Sequence, residues 1–290
     1  MNFPGPKARL ALFVSCYVEN ILKESSAVKI SQGIDSLHRM RISSRRLRCA
    51  LKIFKALYPQ KKIKEWLKPL RRLGKSLGKA RQIDVQLRFL SLLKKKSKDP
   101  AILMEIENTV PLLRRKRQAA QKGILSTLKL VEKKGTFLEI QNYLRGLSHQ
   151  KYKEDADNKE IFLERSGNIL KKKARKILSF EPLINSPQNT KELHQMRIAV
   201  KNLRYSLELF NPIFKNKFDA FIPVMIDIQD ILGDFHEYDV WVDFCHTTSS
   251  RAHLKAVCEA LRADRYRQFL LLWKDLKNKK IWAHLQKAIL

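Results

Sequence analysis

The sequence predicts an all-α fold in two related halves, and three observations carry that prediction. Apolar residues recur with a period near 3.6 along almost the whole chain, separated by short breakers. Gly and Pro are scarce, 9 and 10 in 290 residues, which favours helix over sheet. An 18-residue segment, residues 37–54, returns as residues 193–210 with nine positions identical. A hydrophobic content of 44% supplies enough material for a sizeable core.

The elements follow in order. Residues 8–24 read as a helix through Leu12, Cys16, Val18 and Leu22. Residues 36–57 form the next, stopped by Tyr58-Pro59. A helix over 62–77 should end near Gly78, and another over 83–95 should stop before Asp99-Pro100. Residues 101–132 are periodic but contain Pro111, which should start, break or kink a helix. Thr136 is a candidate cap for a short helix over 137–147. Residues 148–159 (SHQKYKEDADNK) lack periodicity and read as a linker, dividing the chain into halves 1–150 and 151–290. Helices over 160–180, 191–210, 217–232, 238–245, 250–276 and 277–289 complete the second half.

The duplication is read residue by residue. Leu, His, Met, Arg, Ile, Leu, Arg, Leu and Phe coincide between the two 18-residue segments. Downstream, Leu77-Gly78, Arg81 and Asp84-Val85 align with Leu232-Gly233, His236 and Asp239-Val240, at an offset differing by a single residue. Two such matches in register establish an internal repeat.

Charge is the first functional clue. The formal net charge is +31, and it is unequally divided: residues 1–150 hold 34 basic and 10 acidic groups (+24), residues 151–290 hold 25 and 18 (+7). Self-repulsion on this scale points to a polyanionic partner: nucleic acid, an anionic membrane or a phosphate polymer. The four cysteines have no metal or C-x-x-C spacing, so neither zinc nor disulfides are expected. No apolar run is long enough to span a bilayer, and residues 1–6 lack the order of a signal peptide. Cytoplasmic is the default expectation, with no membrane insertion and no cofactor.

The charge is also placed. On a helix His38, Arg41, Arg45, Arg48 and Lys52, spaced +3, +4, +3, +4, fall within about 80° of one another. Leu37, Met40, Leu47, Leu51 and Phe54 occupy the adjoining arc, so the basic ridge flanks the core face and should be partly shielded. His194, Arg197, Lys201 and Arg204 repeat the ridge, with Glu208 in place of the fifth base. Like charges a turn apart destabilise an isolated helix by a few tenths of a kcal/mol per pair. A ridge of them built twice calls for a compensating anion, and guanidinium forks suit phosphate oxygens. A second ridge, Arg72, Lys75 and Lys79 leading to Arg81, has a far less basic counterpart in Met225, Asp227, Gln229 and Asp230. Asp84 and Asp239 read as caps or as ion-pair partners orienting an Arg, and residues 236–239 (HEYD) as a turn and helix cap. The run Arg114-Arg115-Lys116-Arg117 reads as a solvated face, with widening of an anion track as the alternative.

These residues resemble the CHAD family, the conserved histidine α-helical domain, whose mark is a duplicated His-x-x-Arg-x-x-x-[Arg/Lys]-x-Leu-Arg helix. Residues 38–48 and 194–204 both fit, and 77–85 resemble the family's downstream element. The resemblance implies two four-helix-bundle-like halves related by pseudo-twofold symmetry around a shared basic groove. It also implies non-catalytic binding of inorganic polyphosphate, often on polyphosphate granules. By the match, His38, Arg41, Arg45, Arg48, His194, Arg197, Lys201 and Arg204 face the ligand. Asn202 stands where the family usually has a base, and Gln82 where it usually has an acid.

Two other functions compete. A nucleic-acid backbone binder shares the charge, but single-strand binders present aromatic platforms, and Phe54, Tyr205 and Phe210 sit on the core arc or its edge. A metal-dependent phosphohydrolase would need a carboxylate cluster or metal-binding motif, and the sequence offers none.

Overall fold

The computed structural model describes residues 5–30, 33–57, 61–149, 156–246 and 251–289. Tyr58, Pro59 and residues 150–155 of the expected linker lie outside them. Among the described residues there are ten α-helices, one 3-10 turn and no strand. None of these helices is long and apolar enough to cross a membrane. The chain divides into two compact units, Met1–Lys159 and Glu160–Leu290.

The first unit has four long helices and a shorter fifth: α1 (Pro6–Lys29), α2 (Ile34–Leu57), α3 (Lys61–Lys96), α4 (Pro100–Lys133) and α5 (Thr136–His149). α2 packs against α1 and α3, α3 against α4, and α5 returns to α1. α1 buries Leu10, Ala11, Val14, Val18 and Ile21, while Leu12, Cys16 and Leu22 are exposed. Of the expected apolar row Val18 is buried as expected, and the other three are corrected. The Leu12 row is interrupted by Glu19 and Lys23. The row through Leu10 is apolar as far as Ile21, then carries the buried Glu24 that pairs with Arg39, and α1 packs against α2 and α5.

Two expected breaks are absent. α3 runs unbroken through Pro69, Gly74 and Gly78, because its buried stripe of Leu67, Leu70, Leu73, Leu77, Ala80, Ile83 and Leu90 keeps its phase between α2 and α4. Packing along a 36-residue helix outweighs the cost of about 1 kcal/mol per interior glycine. α4 likewise runs through Pro111, which is exposed, and starts at an Asp99 cap that accepts from the Ala101 N–H at 2.8 Å. Thr136 is the first residue of α5, not the residue before it.

The second unit repeats the plan: α6 (Ala156–Leu178), a 3-10 turn (Glu181–Leu183), α7 (Thr190–Phe210), α8 (Phe221–His246), α9 (Ala252–Asn278) and α10 (Ile281–Ile289). α8 lies between α7 and α9, and α10 packs on α9. α6 meets α7 through an edge-to-face contact of Phe162 with Phe210. The turn after α7 is tied by Asn211, which accepts from the Phe218 N–H and donates to Asp219, with Lys215 and Asn216 at positive φ. That turn delays α8 to residue 221, four residues later than expected from 217. α8 then joins the remainder of the first expected segment, 221–232, with the second, 238–245, in one helix. Its buried row of Phe221, Met225, Ile228, Leu232 and Phe235 passes Gly233 without a change of phase. Residues 236–239 are therefore mid-helix, not a turn.

The repeated aspartates show how each unit is clamped. Asp84 accepts from Nε of Arg117 on α4 at 2.7 Å, and Asp239 accepts from Nε of Arg262 on α9. Both are ion pairs and neither is a cap. Arg117, expected on a solvated face with its neighbours, is instead drawn inward, while Arg114, Arg115 and Lys116 are exposed.

Candidate functional site

α2 and α3 run antiparallel, and the register between them places the first basic ridge in a seam. Arg48 of α2 lies across Gly74 of α3, where an added Cβ would stand 2.7 Å from the guanidinium carbon. At the other end Arg81 of α3 is close enough to His38 to disfavour its protonation. α7 and α8 build the same seam. Arg197 lies 3.6 Å from where a Cβ on Gly233 would be, Arg204 reaches Gln229, and the His194 ring rests against that of His236 with centroids 4.0 Å apart. Two of the matches read from sequence are matches in space, His38 and Arg81 with His194 and His236, and Arg48 over Gly74 with Arg204 on Gln229. The approach of Arg197 to Gly233 has no counterpart at Gly78.

Each seam is half-buried, as the position beside the core arc predicts. His38, Arg41, Arg45 and Arg48 are partly shielded and Lys52 is exposed; His194, Arg197 and Arg204 are partly shielded and Lys201 is buried. Phe54, Tyr205 and Phe210 are buried in the core. Ser36 lies within α2 and accepts from Arg39, whose guanidinium is held chiefly by Glu24 of α1 at 2.6 and 2.9 Å. Asn189 precedes α7 and its side chain caps nothing there.

Both histidines are poised alike. Nδ1 of His38 and Nδ1 of His194 are buried, with no hydrogen-bond partner among the described residues. Burial first, then Arg81 and Arg41, hold His38 below the ordinary imidazole range, with Asp35 opposing. Burial, Arg197 and Lys201 do the same to His194. His236 is pushed down to about 3 by burial, His194, Arg197 and Lys201 in that order. Burial disfavours the charged ring at all three positions, and the neighbouring cations add to it in the same direction.

The family model of the CHAD domain matches residues 15–246, the span that holds both seams. The chain belongs to the CHAD family. Two solved structures share the fold of this CHAD protein. One is the CHAD domain from the plant Ricinus communis, at 20% identity and a TM-score of 0.66, covering 98% of this chain and 93% of that one. The other is PptA from Streptomyces chartreusis, at 14% identity and a TM-score of 0.64, covering 94% and 100%. A search of curated protein sequences finds no match.

The two seams of the CHAD protein differ in their surroundings. In the first unit Arg45, Lys52, Arg72, Lys75, Lys79 and Arg81 have no ion-pair partner among the described residues, and Arg72, Lys75 and Lys79 are exposed. In the second, Arg204 is held by Glu208 at 2.8 Å and by Gln229 at 3.1 Å. With Leu77 matched to Leu232, the ridge Arg72, Lys75 and Lys79 falls on Asp227, Asp230 and Asp234. That reversal is stronger than the weakening expected from sequence. It was hidden because the two repeat matches differ by one residue in offset, and only a continuous α8 fixes which applies. His236 is the other residue that sequence reasoning left out of the site: its motif position was visible, but its contact with His194 depends on residues 236–239 being helical.

Proposed function

We propose that this protein binds inorganic polyphosphate along its two His/Arg seams, without catalysing a reaction on it. The observation that carries the reading is the doubled seam, with half-buried guanidinium groups aligned at helical spacing beside a histidine whose buried Nδ1 lacks a partner. A flexible phosphate polymer offers regularly spaced charges and no bases, so it needs cationic contacts and no stacking platform. The burial of Phe54, Tyr205 and Phe210 removes the nearby aromatics from use by bases, which favours polyphosphate over single-stranded nucleic acid. Membership in the CHAD family supports the same assignment, and with it a cytoplasmic protein recruited to polyphosphate granules.

A competition assay tests the proposal. Long-chain polyphosphate should be retained in preference to single-stranded and duplex DNA at matched charge and moderate salt. Arg41→Ala with Arg197→Ala should weaken it by roughly a hundredfold, about one charge-assisted contact per substitution. Preference for DNA, or unchanged retention by the double variant, would overturn the assignment. Orthophosphate released from the polymer with added Mg²⁺ or Mn²⁺ would restore the hydrolase reading.

A further inference from the structure

We infer that the His194–His236 pair is a proton-coupled oxyanion subsite: it takes up a proton when a phosphate group docks, which makes the second unit's grip depend on pH. The inference rests on the polyphosphate reading and adds to it. The first unit has Arg81 at the place of His236, a group charged at every working pH. The second unit has substituted a titratable ring at that point, and the two imidazoles meet with centroids 4.0 Å apart and planes at 48°. Two rings this close titrate as a pair.

The charges around the pair set the sign. On α7, Arg197 and Lys201 bear on both rings, and each ring bears on the other. On α8, Asp234 is drawn to Arg265 of α9 at 3.1 Å, and Asp239 to Arg262 of α9. Asp227 and Asp230 are exposed further along α8, and Glu237 is half-buried beside His236 in sequence. Asp234 and Asp239 are thus paired with α9, while the charged groups that bear most on the two rings, Arg197 and Lys201, are cationic. Without an anion both rings are neutral near pH 7. A phosphate oxyanion in the seam offsets Arg197 and Lys201, accepts a hydrogen bond from an imidazolium, and raises the pair's proton affinity. The liganded form then holds more protons than the free form, so affinity rises as pH falls. The limit is about tenfold per pH unit for each proton taken up.

The test uses the full chain with two probes, long-chain polyphosphate and poly(vinyl sulfonate), whose charge does not titrate. Affinity is measured from about pH 8 to about pH 5.5 at constant ionic strength, and proton uptake by calorimetry in buffers of different ionisation enthalpy. Binding of both probes should tighten as pH falls. His236→Arg should lower the proton uptake by up to about one and bind more tightly near pH 8, whereas Arg81→His should raise the uptake. The Arg81→His arm keeps the test decisive should His236→Arg fail to fold. Unchanged uptake in His236→Arg, or a pH effect confined to polyphosphate, would overturn the inference; the second result would assign the protons to the polymer's own ends. Affinity constant across pH would also overturn it, while leaving the polyphosphate reading intact. A wild-type chain that binds polyphosphate at no pH would sink that reading itself.

Discussion

Arg48 and Arg204 occupy matched positions, yet the first lies across a glycine while the second is held between Glu208 and Gln229. Both acceptors are intramolecular, so under the polyphosphate reading Glu208 competes with a phosphate for Arg204. Lys52, matched to Glu208, is exposed and extends the first ridge. Glu208→Lys should therefore free Arg204 and restore the five-base ridge. Affinity for polyphosphate should rise by roughly tenfold, about 1.4 kcal/mol for one charge-assisted contact regained. Isothermal titration at low salt measures it, and an unchanged affinity would mean that Arg204 never reaches the ligand. The same change should cost stability by up to a few kcal/mol, because Arg204 and Glu208 are only 17% and 14% exposed and the guanidinium loses its partner; denaturant unfolding of the variant measures it.

At the scale of the element, Gly74 separates stability from binding. It sits inside α3, where alanine would be preferred by about 1 kcal/mol, but a Cβ there would collide with the Arg48 guanidinium. That group is the mobile end of a long side chain, so it would move rather than the helix. Gly74→Ala should raise the unfolding free energy by up to about 1 kcal/mol and weaken polyphosphate binding several-fold. Denaturant unfolding and titration of the same variant check both signs, and a variant stabilised with unchanged affinity would show that Arg48 makes no contact with the ligand. This glycine also explains what was legible beforehand. Helical periodicity gave the elements, and the +3, +4 spacing gave the ridges, because both follow from one local period. The joins at Gly78 and at residues 233–238 were not legible. A breaker's local cost is overruled by packing from α2 and α4, or α7 and α9, which are distant in sequence. The Asp84–Arg117 and Asp239–Arg262 clamps lay in the same blind spot: the aspartates stood out as repeated, but their partners are 33 and 23 residues away on the next helix.

Across the whole molecule the duplicated sequence has kept its scaffold and diverged in charge, +24 against +7. The divergence is concentrated where it matters for an anion. Arg72, Lys75 and Lys79 on α3 align in the repeat with Asp227, Asp230 and Asp234 on α8, and of these six only Asp234 is engaged in an ion pair among the described residues. A polyanion held by the second seam thus meets repulsion where one held by the first meets three further cations. Salt dependence should expose the difference, since each phosphate contact contributes about 0.7 to 0.9 to the slope of log affinity against log salt for nucleic-acid phosphates. Asp227→Arg with Asp230→Lys leaves the Asp234–Arg265 pair in place and changes only exposed groups, so the fold should be retained. The double variant should bind polyphosphate more tightly and with a slope steeper by about one to two. Arg72→Asp with Lys75→Asp should do the reverse, and by a larger factor, because it adds repulsion to the unit that carries most of the charge. Slopes unchanged in both variants would confine the ligand to the His/Arg ridges of α2 and α7 and remove the α3 ridge from the site.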